Sequence, residues 1–208
     1  MAHPSRPTIS RRLVLTALAI AALAGCQAAP QHWNATDVSG SIPDLSFDMI
    51  RASDGKPVTA ADYRGKIVLL YFGYTYCPDV CPLTLSRLAQ ALAKVKGAAQ
   101  NVRVLFVTVD PGRDDLKTLK DYTANFGPEF IGLLGTPDEL ATLAKRYRIA
   151  YSVHPDPDPA KYVVTHSSAI YAFDRQGKAR LLMTSLSSTA PDIAGTSADI
   201  NRLVSGKD

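Results

Sequence analysis

Cysteine is scarce in this sequence. Only Cys26, Cys77 and Cys81 occur in 208 residues, which excludes a scaffold stapled by many disulfides. Long apolar runs are missing as well. The most apolar stretch, Leu13 to Ala24, is short of the ~20 residues that a membrane-spanning helix needs. Acidic residues are absent from the first 26 positions, which carry Arg6, Arg11 and Arg12. The formal charge of +4 from 23 basic and 19 acidic residues therefore falls to 4 − 3 = +1 for the rest of the chain. That balance gives no basic footprint for a nucleic acid, and none is expected as a partner. No internal repeat is present. What remains is an ordinary hydrophobic fraction of 46%, enough for one real core.

The N-terminus reads as an export signal. A basic patch at Arg11-Arg12 precedes the apolar stretch, and Leu23-Ala24-Gly25-Cys26 follows it. Small residues directly before a cysteine resemble a bacterial lipobox. Residues 1–26 are thus expected to be a signal peptide with Cys26 lipidated after cleavage. The paired arginines also resemble a twin-arginine signal. The expected location is the periplasmic side, as a lipoprotein anchored to the membrane through its N-terminal lipid. Residues 27–41 are small and polar and are expected to form a flexible tether. Residues 42–208 then make up the folded domain.

Strand and helix patterns alternate along that domain. Lys66 to Phe72 and Val102 to Val109 are continuous apolar runs, as in buried central strands. Leucines at helical spacing follow the first, from Leu83 to Leu92. Helices are expected over 114–126, from Thr136 to about Tyr147, and over 191–204. The segment from His154 to Pro159 has three prolines and excludes regular structure there. Asp174-Arg175-Gln176-Gly177 marks a late hairpin. The fold class is therefore α/β, with a largely parallel central sheet, an added N-terminal strand and a late antiparallel hairpin. Cysteines just after a buried strand, opening a helix, are a thioredoxin-like arrangement.

Outside the cytoplasm, thiols are oxidised unless a reductant or a metal protects them. Cys77 and Cys81 lie four apart, and a bridge closing so short a loop constrains the unfolded chain little. A reactive or metal-binding pair is the better reading. At a helix start, free N–H groups and the helix dipole favour a thiolate. If the segment is helical, the i, i+4 spacing puts both sulfurs on one face. Two thiolates select soft metals such as Cu(I), and two ligands are too few for a structural zinc. A third ligand has four candidates: His3 in the leader, His32 in the tether, His154 in the proline-rich loop and His166 near a strand edge. By position alone His166 reads first as a satisfied, partly buried histidine, since lone histidines are usually structural.

Tyr-Cys-Pro-Asp-Val-Cys-Pro at 76–82, Thr108 to Asp114, Phe130 to Thr136 and Val164-Thr165-His166-Ser167 together resemble the Sco/SenC family of copper proteins, in order from about residue 42 to 185. The resemblance implies a thioredoxin-like fold that binds copper, as Cu(I) and also Cu(II), through Cys77, Cys81 and His166. It implies a copper chaperone that helps assemble the dinuclear copper centre of cytochrome c oxidase. The partners would be the subunit that carries that centre and a copper donor protein. Many relatives have an acidic residue just before the ligand histidine, where this chain has Thr165. The alternative is a thiol–disulfide oxidoreductase in which Cys77 and Cys81 are the redox couple that reduces a partner's copper-site cysteines. A peroxidase reading, with Thr75 and Cys77 as a shortened Thr-x-x-Cys, lacks an identifiable activating arginine.

Overall fold

The computed structural model describes residues 32–158 and 161–206. The leader, Cys26 and residues 27–31 of the expected tether lie outside the described residues. From Trp33 onward the chain is one unit.

Its frame is an eight-stranded sheet in the order β1-β10-β9-β4-β5-β6-β2-β3. The strands are β1 Thr36–Asp37, β2 Asp48–Arg51, β3 Pro57–Thr59, β4 Ile67–Gly73, β5 Val102–Thr108, β6 Phe130–Leu134, β9 Ile170–Phe173 and β10 Ala179–Met183. Among the described residues two further strands, β7 Tyr151–His154 and β8 Val163–His166, pair only with each other. The helices are α1 Val80–Leu92, α2 Ala98–Asn101, α3 Leu116–Ala124, α4 Pro137–Arg146 and α5 Ile193–Ser205. None of the described helices is long and apolar enough to cross a membrane.

The sheet is mixed, which corrects the expected largely parallel one. Of its seven neighbouring pairings only β4–β5 and β5–β6 are parallel. The apolar runs identified β4 and β5 because parallel strands are covered on both faces. All seven residues of β4 are buried between β5 and β9. The antiparallel strands on either side are shorter and carry less pattern. The late hairpin stands as expected, with Asp174 and Gly177 closing the turn between β9 and β10.

The expected tether also ends earlier than residue 41. Asn34 and Ala35 donate their backbone N–H groups to the buried Asp199 carboxylate on α5, and β1 pairs with β10. The Arg202 guanidinium carbon sits 3.8 Å from the Trp33 ring centroid. Small polar residues imply little to bury, but one buried carboxylate gathers the Asn34 and Ala35 backbone and the Asn34 side chain.

Candidate metal centre

β4 ends at Gly73, where the chain must pass close to its neighbours. A Cβ on Gly73 would lie 2.7 Å from Phe106 and 2.9 Å from the Cys81 sulfur, so the strand end has no room for a side chain. The chain then loops through Tyr74 to Asp79 and enters α1 at Val80. This corrects the picture of both cysteines on one helical face, because Cys77 precedes the helix and only Cys81 belongs to it. Asp79 occupies the N-cap position but makes no side-chain cap bond. The Cys77 sulfur does that work instead, accepting the Cys81 backbone N–H at 3.4 Å. An orphan donor of the first turn thus faces a sulfur, as a thiolate requires. Within α1, Cys81, Thr84, Leu85, Leu88 and Leu92 face inward at helical spacing, while Val80 and Leu83 stay exposed.

His166 reaches the pair from the end of β8. Its Nε2 lies 3.1 Å from the Cys81 sulfur. Its Nδ1 lies 3.0 Å from the Ser167 carbonyl, so Nδ1 carries the proton and the Nε2 lone pair points at the sulfurs. The rings of Tyr71 and Tyr74 meet the imidazole edge-on, with centroids 6.2 and 5.9 Å away. Two sulfurs and one imidazole nitrogen therefore lie within 4.8 Å of one another, with Cys81 buried and Cys77 and His166 half-buried. Soft sulfurs with one imidazole fit copper and do not fit a hard cation.

The two thiols are electrically unequal. The Cys81 S–H donated to Cys77, with the backbone N–H contacts of Cys81 and Asp79, holds the Cys77 thiol well below its ordinary 9.0. The same bond, then burial and the Cys77 charge, push Cys81 up. Without metal the pair is one thiolate and one thiol. Burial also pushes the Tyr71 hydroxyl up, so it stays neutral beneath Cys81.

The SCO1/SenC family profile matches residues 42–204 of this geometry's sequence. The chain belongs to the SCO1/SenC family. It is 33% identical over 181 residues to the SCO2 homolog, mitochondrial, of Mus musculus, covering 82% of this chain and 71% of that one. It superposes on Arabidopsis thaliana ScoI with copper bound at a TM-score of 0.69 and 32% identity, covering 78% of this chain and 98% of that one. For Bradyrhizobium japonicum ScoI with copper bound the TM-score is 0.68 and the identity 34%, over 77% and 98% of the two chains.

Of the four histidines, His3 lies outside the described residues and His32 is exposed at their start. His154 closes β7, where it bonds Ser152 and Thr165 at 3.0 and 3.1 Å. Thr165 turns its hydroxyl to that exposed cluster, away from the imidazole of His166. The acceptor behind His166 is thus the Ser167 carbonyl, and the missing acidic side chain at position 165 does not leave Nδ1 unpaired.

Several residues around the site escaped the sequence reading of this SCO1/SenC chain. Asp114 is 1% exposed and accepts from the Thr75 backbone at 3.1 Å, the Thr75 hydroxyl at 2.5 Å and the Thr108 hydroxyl at 2.6 Å. It pins the cysteine loop to the end of β5. Burial pushes its carboxyl up, against the hydrogen bonds that favour the charge. Asp110, Arg113 and Tyr162 form a second cluster beside it. The Thr108-to-Asp114 motif was the available signal, but ordinary turn and capping chemistry explains those residue types equally well.

Proposed function

We propose that this chain is a copper chaperone that holds its cargo through Cys77, Cys81 and His166 and helps assemble the dinuclear copper centre of cytochrome c oxidase. The observation that carries this is the convergence of three copper-compatible donors from two separate stretches, with the imidazole lone pair facing the sulfurs. The likeness to two relatives solved with copper bound supports copper as the cargo. Three ligands make no enclosing cage. Cys77 and His166 are half-buried, so a competing ligand on a recipient can reach the cargo from the open side. Cys81, fully buried, is the residue that keeps hold while the others exchange.

The setting is the periplasmic face of a membrane, with Cys26 carrying the lipid. The support is the basic patch, apolar stretch and small-residue run before Cys26. The partners are a copper donor and the oxidase subunit that carries the dinuclear centre.

Titrating the reduced, metal-free chain with Cu(I) against a competing chelator tests the proposal. One tightly held equivalent that disappears in Cys77→Ser and Cys81→Ser is expected. Absence of tight binding, or binding indifferent to both changes, contradicts it. A second reading has one observation behind it. The unequal pair, a stabilised half-buried thiolate beside a buried thiol, suits attack on a partner's disulfide followed by resolution through Cys81. A chain that reduces a copper-site disulfide peptide yet holds no Cu(I) favours that reading.

A further inference from the structure

The two ligand-bearing segments do not belong to one rigid element. Cys77 and Cys81 continue from β4, at the centre of the sheet, whereas His166 rides on a ribbon that makes no ladder with it. A two-stranded ribbon has little stability of its own. Something else must set the distance between the imidazole and the sulfurs. Arg113, in the turn between β5 and α3, touches both sides. Its guanidinium carbon lies 3.6 Å from the Tyr162 ring centroid, and its Nη1 donates to the Tyr162 carbonyl at 3.0 Å. Tyr162 is the residue immediately before β8. On the other side the guanidinium carbon lies 5.1 Å from the Tyr76 ring and 5.7 Å from the Tyr74 ring, both in the cysteine loop. Asp110, 3% exposed, anchors the arrangement. It accepts from Arg113 Nε at 2.6 Å and from the Tyr162 hydroxyl.

We propose that Arg113 is a positioning residue that holds the β7–β8 ribbon closed, so that His166 meets the Cys77–Cys81 pair. It acts through Tyr162 and Tyr76. The planar guanidinium suits this task, because one group stacks on rings while its edge donates to a carboxylate and a carbonyl. A lysine would supply the charge without the stack or the fork. The inference rests on the copper reading above for its consequence, though not for its geometry.

The test uses the full chain with Arg113→Gln, and with Tyr162→Phe as a milder change that removes only the bond to Asp110. Two measurements separate the clamp from the copper assignment. The first is hydrogen exchange of the reduced, metal-free protein. Amides in Val163–His166 should exchange about tenfold faster in Arg113→Gln, while those in Ile67–Gly73 keep the wild-type rate. Tyr162→Phe should move the same amides in the same direction, and it carries the test if Arg113→Gln does not fold. Ribbon amides that exchange at the wild-type rate overturn the proposal. The second is Cu(I) affinity in a double-mutant cycle with His166→Ala. Arg113→Gln should weaken binding about tenfold when His166 is present and have no effect when it is absent. An equal loss in both backgrounds means that Arg113 does not act through His166, and overturns the proposal. A wild type that takes no Cu(I) refutes the copper reading instead, and the exchange result still decides the clamp.

Discussion

The Cys81 sulfur and the His166 imidazole approach to 3.1 Å from regions built in opposite ways. The cysteine side continues from β4, whose seven residues are all buried, and runs into α1, whose inner face is packed into the same core. Its loop is pinned by Asp114 and crowded by Gly73. The histidine side is a two-stranded ribbon outside the sheet, with Val153 and Val163 more than half exposed. Only Val164 of β8 enters the core. The sulfur pair is thus set by folding itself, and the imidazole is brought to it by side-chain contacts of a less stable element. Such a division suits a protein that must release its cargo, because one ligand can leave without disturbing the fold.

Truncation on each side gives the widest contrast. Phe72→Ala in β4 removes a fully buried ring and should cost about 3–5 kcal/mol in urea unfolding. Val163→Ala on the ribbon should stay within about 0.5 kcal/mol. Comparable losses at both positions would break the comparison. Gly73→Ala is a finer probe of the rigid side. Its new Cβ would collide with Phe106 and the Cys81 sulfur, so about 1–3 kcal/mol of destabilisation is expected. It should also lower the yield of one-to-one Cu(I) complex. A stable Gly73→Ala protein with wild-type copper binding would show that the sulfur position is not preset.

The smallest effect is on protons. The Cys77 value lies below its ordinary 9.0, so the stability its thiolate contributes is fully present above pH 9.0 and is lost as pH falls toward about 3. Cys81 is shifted the other way, so its thiol contributes below its ordinary value and loses that contribution as pH rises. Through the neutral range the metal-free pair holds one thiolate. Alkylation of Cys77 by iodoacetamide should therefore be flat with pH there. An ordinary thiol would gain about tenfold per unit on the approach to its pKa, and that behaviour in Cys77 would contradict the asymmetry.

The rigid region was also the legible one. Lys66 to Phe72 and Val102 to Val109 announced β4 and β5, because strands covered on both faces leave unbroken apolar runs. Spacing pointed to Cys77 and Cys81 and only the family resemblance pointed to His166, and the structure brings the three side chains together. The expected helical relation between the cysteines was not met, since a Pro at 78 and the turn before Val80 keep Cys77 outside α1. β1, β3 and β7 went unseen because two to four mostly exposed residues carry no usable period. The isolation of β8 from the sheet was equally hidden, since pairing partners are a property of the whole topology. Leu83 matched the helical stripe yet is exposed, and Thr84 is buried in its place beside Leu85. Asp114 and Arg113 looked like ordinary capping residues. Their partners Thr75 and Tyr162 lie 39 and 49 residues away in sequence, beyond any local pattern.

The central claim is that the imidazole of the less stable region completes a site whose sulfurs the core presets. X-ray absorption of the Cu(I)-loaded chain and of its His166→Ala variant tests it most directly. Three-coordinate copper with two sulfur scatterers and one nitrogen is expected in the wild type, collapsing to two sulfurs in the variant while the fold persists. Identical sulfur-only coordination in both proteins would contradict it.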